Sequence, residues 1–373
     1  MLQINKYIWL FIICLVFFSC KKSSNPDNKT ITEKKTIVYD ITQKASYFAD
    51  SVLSSLTLEE RIGQCFMPSI RALDEPSNLS LLKKYIEDYH VGGIVLLQGN
   101  VTAAKKLSEI GSEAKVPLFI AIDAEWGLGM RLEDAPVYPK NGKIDKSTDE
   151  TYLFDYGQQV AKECREVGIN MVLGPVVDIT TSNSGIIGKR SFGDNPQIVS
   201  DFSIAYSKGL ESGGIISVAK HFPGHGSTIV DSHRNLVKVK RSITELDSID
   251  LKPFRDYVNS GLSGIMAGHI QSLALDPSGR SAAVSMDMLT SLLREEMGFK
   301  GLILTDAFDM GGAKGFSASD AIRAGADIIL CPLDMAKEYK NLISEVKTGA
   351  LDLSLINDRC KKILFYKFLF SLN

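Results

Sequence analysis

The sequence predicts an α/β protein, a (β/α)8 TIM barrel in a single domain. Three observations carry that expectation. Short apolar runs recur eight times, amphipathic stretches separate them, and no block of different composition follows the last run. Continuous apolar runs suit strands buried on both faces of a parallel sheet. Their alternation with helices favours a closed barrel over an open doubly wound sheet. No GxGxxG follows the first run, which weighs against a dinucleotide-binding fold. A length of 373 residues is one that a single barrel routinely fills.

The first element is a targeting segment. Lys6 precedes an apolar run from Tyr7 to Phe18, short for a membrane span and suited to the core of a secretory signal. Ser19-Cys20 and then Lys21-Lys22 follow, which resembles a bacterial lipoprotein cleavage box, although Phe17 and Phe18 are bulkier than is usual there. The expectation is a signal peptide over residues 1–19, cleavage before Cys20 and lipidation of its thiol. The protein would then be exported and held by lipid on the periplasmic or surface side of a bacterial envelope. The alternatives are a plain secretory signal and an uncleaved anchor. Residues 20–44 are rich in Lys, Asn, Ser and Thr and read as a polar tether. The barrel domain is expected over 45–373.

Within that domain, residues 45–56 have helical apolar spacing, and Thr57-Leu58-Glu59-Glu60 is a capping box. The apolar runs begin at 64 (QCFMPS), 92 (GGIVLLQ), 117 (PLFIAID), 169 (INMVLGPV), 214 (GIISVAKH), 262 (LSGIMAGH), 301 (GLILTDAF) and 326 (ADIILCP). Helical stretches lie at 79, 101 and 285, and INDRCKKILFYKFLF closes the chain as an amphipathic helix. Cys65, Cys164, Cys331 and Cys360 form no CxxC or other close pair, so no zinc site is expected. Cys65 and Cys331 read as small buried hydrophobes.

Composition excludes whole classes of function. With 45% hydrophobic residues and a formal net charge of −2, the chain is not disordered. With 42 Lys+Arg against 44 Asp+Glu, it carries no nucleic-acid footprint.

Barrel enzymes build their sites from the C-terminal ends of the strands. The third run ends at Asp123, with Glu125, Trp126 and Arg131 close behind. The fourth leads into Asp178 and a loop carrying Arg190. The fifth ends in Lys220-His221 and continues through Pro223 to Gly224-His225-Gly226. The sixth ends at His269 and the seventh at Thr305-Asp306. Singly, a strand-end Asp such as Asp178 or Asp306 is as readily a helix cap, and a loop His is more often structural. Convergence of carboxylates, imidazoles, Arg and Lys on one rim points to a polar ligand.

The segment KHFPGHGSTIVDSH, residues 220–233, resembles the signature of glycoside hydrolase family 3, in the single-domain bacterial β-N-acetylhexosaminidase form. TLEERIGQ at 57, DAEWGLGMR at 123, GKRSFGD at 188 and MGFKGLILTDAFDMGG at 297 continue the resemblance over about residues 50–370. It implies a retaining exo-β-N-acetylglucosaminidase that releases terminal β-linked GlcNAc from peptidoglycan fragments or chitin-type oligosaccharides. It also implies that Asp306 is the nucleophile, His233 the acid/base and Asp231 its partner carboxylate. Asp123, Arg131, Arg190, Lys220 and His221 would hold the sugar, and His269 would line the pocket. Ser227 and Trp126 depart from the family pattern, at positions that bear on substrate preference.

The chemistry is consistent with those roles. Retention needs a carboxylate on one face of the sugar and a proton donor at the leaving oxygen. Imidazole titrates near working pH and can give and reclaim a proton. Asp231 and His233 stand two apart, so an extended loop turns both to one side. Asp309, three residues after Asp306, is expected to cap a helix. Met266 and Met310 are expected in the core, and Trp126 on a sugar-stacking wall or in the core. His225 is expected to orient its loop by hydrogen bonding. No metal or organic cofactor is implied; the partners are a carbohydrate and, through lipid, a membrane. The other readings are a β-glucosidase or β-xylosidase of the same family, a β-N-acetylglucosaminide phosphorylase, and a non-catalytic glycan-binding lipoprotein.

Overall fold

A computed structural model describes residues 26–180, 185–226 and 236–371, with the side chains of 26–39 excepted. Cys20, Asp231 and His233 lie outside the described residues. The chain divides into two compact units, Met1–Lys44 and Ala45–Asn373. In the first, the polar segment expected as a tether opens a helix, Pro26–Ser55, and Lys44 pairs with Asp40 one turn away at 2.6 Å. Among the described residues no helix is long and apolar enough to cross a membrane.

The second unit is built on strands β1 (Phe66–Met67), β2 (Ser69–Ala72), β3 (Gly93–Gly99), β4 (Phe119–Ile122), β5 (Met171–Val172) and β6 (Ile216–Phe222). After these come β7 (Val237–Lys238), β8 (Gly264–Ala267), β9 (Ile270–Gln271), β10 (Leu302–Thr305) and β11 (Ile329–Leu330). One parallel sheet runs β10-β8-β6-β5-β4-β3-β2. β1, parted from β2 by Pro68, pairs in parallel with β11, and a Leu304–Ile328 bridge joins β10 to the approach of β11. Among the described residues the ring is therefore closed, and each of the eight apolar runs supplies one position in it. β7 and β9 form a separate pair beyond the strand ends, a pairing with no counterpart in the apolar pattern.

Burial explains why the runs read as continuous rather than alternating. All four residues of β4, β8 and β10 and all seven of β6 are buried, since one face meets the barrel interior and the other meets helices. The capping box at Thr57 forms as expected, with Thr57 and Glu60 each bonding the other's backbone. The stretch at 285 is helical but wound as a π-helix, Asp287–Glu296, which still buries Met288, Leu289 and Leu293. The closing helix, Leu353–Leu369, buries Ile356, Cys360, Ile363, Leu364 and Phe368. The four described cysteines are buried free thiols.

One ionic cluster ties the closing helix to the barrel. Asp327 is fully buried and accepts the Ile303 amide at 2.8 Å. Arg294 pairs with it at 2.5 Å, Lys362 at 3.5 Å and Arg359 at 3.8 Å. Burial alone would raise the Asp327 carboxyl; the three cations outweigh it and hold the group below the usual carboxylate range.

Candidate active site

A cavity of about 380 Å³ opens at the C-terminal ends of the strands. That lies within the range of roughly 300–1,000 Å³ for small-molecule sites. Its polar wall takes Asp123, Arg131, Arg190, Lys220, His221 and Asp306, and its apolar wall includes Leu173, Ile187, Met266, Met310 and Leu330. Six of the residues singled out in the sequence thus meet in one place. They arrive on four different strand ends: β4, the loop after β5, β6 and β10.

An alternating chain of charge organises the polar wall. Lys220, 2% exposed, donates to Asp123 Oδ1 at 2.7 Å and pairs with Glu125 Oε1 at 2.7 Å. Arg131 binds the other oxygen of Asp123. Arg190 grips Glu125 with both fork positions, Nε to Oε2 at 2.9 Å and Nη2 to Oε1 at 2.7 Å. Arg131, Asp123, Lys220, Glu125 and Arg190 therefore run plus, minus, plus, minus, plus. Burial pushes both carboxyls up, but Lys220 with Arg131 holds Asp123 well below the usual range, and Lys220 with Arg190 holds Glu125 down at about 2. Both stay ionised at any working pH. Lys220, which burial alone would lower, is raised by the two carboxylates and stays charged.

Asp178 organises the next stretch from behind the wall. Its Oδ2 accepts His221 Nδ1 at 2.7 Å, and its Oδ1 accepts the His225 amide at 2.6 Å. Those bonds and the nearby imidazoles outweigh burial and keep the carboxyl below its ordinary value. His221 Nε2 is then turned toward Arg190, with Nη2 at 3.5 Å. The glycines of the 224–226 segment have a steric reason. Gly224 sits at φ +127°, where a Cβ would meet the Asp250 Cβ at 2.7 Å, and a Cβ at Gly226 would lie 1.9 Å from the Ile179 carbonyl oxygen.

Asp306 lines the same cavity from the end of β10. Its amide donates to the Ala267 carbonyl at 2.8 Å, and its Oδ1 accepts the Ala307 amide at 2.9 Å. The first bond anchors the residue's backbone to β8, and the second holds its carboxylate from the turn that follows. His269 does not line the cavity as expected. It is fully buried beneath the same turn, with Nε2 3.0 Å from the Ala307 carbonyl and its ring edge-on to Phe308. Its role is to hold the turn that presents Asp306. The reason is its place just past β8, beside Asp306 and under the turn.

Other expectations are corrected by position. Asp309 is not a helix cap: the short turn Gly311–Ala313 has Met310 at its cap without a side-chain bond, and Asp309 is exposed on the cavity wall. Met266 and Met310 are buried in the core as expected, and both also reach the cavity wall. Trp126 is half-buried off the cavity wall, with Lys140 Nζ 5.0 Å from its ring centre. Glu125 and Asp178 were undervalued by the sequence. Glu125 stands two residues after Asp123, a spacing that puts both on one side of an extended strand end, and that was the available signal.

The model of the glycosyl hydrolase family 3 N terminal domain matches residues 57–365. Beta-hexosaminidase A of Pseudoalteromonas piscicida is 35% identical over 290 residues, 68% of this chain and 47% of that protein. The chain thus spans about half the length of that relative. A solved family 3 beta-N-acetylglucosaminidase from a Paenibacillus species superposes with a TM-score of 0.78 at 29% identity, over 85% of this chain and 63% of that one. A beta-glucoside phosphorylase, BglX, superposes with a TM-score of 0.82 at 23% identity, over 88% of this chain and 62% of that one, a likeness of fold.

Proposed function

The chain belongs to glycosyl hydrolase family 3, and we propose that it is a retaining exo-β-N-acetylglucosaminidase acting on terminal β-linked GlcNAc. The observation that carries the reading is Asp306, its carboxylate held by the Ala307 amide, lining one cavity with Asp123, Lys220 and Arg190, which Glu125 ties together from behind. The names of the hexosaminidase relatives support the N-acetylated sugar over glucose.

In this reading the sugar ring sits against Asp123, Arg131, Lys220 and His221, whose donors and acceptors match its hydroxyls. Asp306 attacks the anomeric carbon, and the glycosidic C–O bond breaks as a glycosyl ester forms. His233, oriented by Asp231, gives the leaving oxygen its proton. It then takes a proton from the water that cleaves the ester, which frees Asp306 and releases GlcNAc with retained configuration. The assignment of His233 and Asp231 rests on the sequence motif. Peptidoglycan fragments and chitin-type oligosaccharides are the natural substrates in this proposal. The signal anatomy of residues 6–22 supports an exported protein lipidated at Cys20, and Cys20→Ser should release it from the membrane fraction.

The test compares nitrophenol release from the aryl β-N-acetylglucosaminide and the aryl β-glucoside. Faster turnover of the N-acetyl substrate is expected; preference for the glucoside overturns the sugar assignment. Repeating the assay in phosphate should yield free GlcNAc, whereas GlcNAc 1-phosphate would make the protein a phosphorylase.

A further inference from the structure

This inference rests on the sugar-cleaving role above and concerns one residue of the same cavity. His225 is 1% exposed and lines the cavity. Both of its ring nitrogens are buried and have no hydrogen-bond partner. The neighbouring buried imidazoles differ: His221 commits Nδ1 to Asp178, and His269 commits Nε2 to the Ala307 carbonyl. His225 commits only its backbone amide, to Asp178. Buried polar groups are rarely left unpaired, and each one that is calls for an explanation.

The local backbone is shaped to deliver this ring. Gly224 and Gly226 press the segment against Asp250 and Ile179 so closely that no side chain fits at either position. The residue between them projects to the cavity wall, 5.9 Å from the His221 ring centre. Burial holds the imidazole below its ordinary pKa, against the opposing pull of Asp178, so the ring is neutral at working pH. A neutral imidazole offers one donor and one acceptor. That pair matches a group that is itself both donor and acceptor, and an N-acetylated pyranose carries two such kinds, hydroxyl and secondary amide. The Lys220 and Arg190 cations of the same wall are already committed to carboxylates.

We propose that His225 reads the substrate: its ring hydrogen-bonds a hydroxyl or the acetamido group of the bound sugar and sets which ring substituents the enzyme accepts. A site that pairs a substrate group rejects the analogue lacking it, because the site's own polar atoms are left unpaired.

The experiment measures kcat/KM for wild type, His225→Ala and His225→Gln on the aryl β-N-acetylglucosaminide, its 3-, 4- and 6-deoxy analogues and the aryl β-glucoside. The expected result is a loss of roughly tenfold or more for His225→Ala on the parent. That loss should shrink to about twofold on the one analogue missing the group that is read, with partial recovery in His225→Gln. An equal loss on every substrate makes His225 a structural residue and overturns the inference while leaving the proposed function standing. Should His225→Ala not fold, the ring 15N shifts of His225 in the wild type decide. Movement on adding GlcNAc supports the reading, and unmoved shifts under saturation overturn it. Wild type that neither cleaves any of these glycosides nor binds GlcNAc refutes the proposed function and this inference together.

Discussion

The clusters around Asp327 and Lys220 are both buried and both ionic, yet they do different things. Asp327 faces three cations, Arg294, Lys362 and Arg359, and lies packed between the closing helix and strands β10 and β11. The Lys220 cluster alternates in sign over five groups, and Asp123, Arg131, Lys220 and Arg190 all reach the wall of the cavity that Asp306 also lines. Buried charge thus marks stability as readily as chemistry. What separates the two is an adjoining void and a further carboxylate, Asp306, that lines it. In the first cluster every charge is spent on holding the chain together. In the second the same bonds also set donors and acceptors in fixed positions around a space, so little reorganisation remains when substrate enters.

Four measurements test that contrast. The largest effect is expected outside both clusters: Asp306→Asn should lower kcat by about 10³-fold or more with little change in melting temperature. Activity near wild type would remove Asp306 from the chemistry. Next, Asp327→Ala leaves three cations without their counter-charge and should cost ~3–5 kcal/mol in urea unfolding, while kcat/KM of the folded protein stays within about twofold. A large fall in activity without loss of stability would erase the distinction between the clusters.

Glu125→Gln keeps the shape but removes the charge that fixes Lys220 and Arg190. A fall of roughly 10–100-fold in kcat/KM is expected, larger than the loss of stability predicts. The wild-type advantage in melting temperature over this variant should be full above pH 4.5. It should shrink as pH falls toward about 2, because the Glu125 carboxyl is depressed in the folded state. The smallest effect concerns Glu211, partly buried at the opposite end of the barrel, where it accepts the Ser263 amide at 2.9 Å and the Ser217 hydroxyl at 2.7 Å. Burial outweighs those bonds and pushes its carboxyl up to about 7. A raised folded value is stabilising at low pH and lost as pH rises through it. Glu211→Gln should therefore gain in melting temperature over wild type at pH 8 and show little gain at pH 4.5; a gain independent of pH would contradict the burial argument.

Much of this was legible in the sequence, for identifiable reasons. Each apolar run became a barrel position because a strand covered on both faces leaves an unbroken hydrophobic trace. The Lys220-His221 pair stood out because polar residues end an otherwise apolar run. Glu125 was harder to read, since its importance comes from Arg190, 65 residues away, and only the fold brings them together. Asp178 looked like a cap for the same reason: its partners His221 and His225 belong to the next strand and the loop after it. His269 was misplaced on the wall because a strand-end position fixes depth in the barrel but not which way a ring turns. Asp309 was misread because no full helix follows it for a cap to serve.

The most direct test of the central claim is mass spectrometry of the intact protein after incubation with a fluorinated, slowly turned-over N-acetylglucosaminide, followed by peptide mapping. The account predicts one glycosyl adduct, on the peptide carrying Asp306, and none in Asp306→Ala. An adduct on another carboxylate, or trapping that persists in Asp306→Ala, would contradict it.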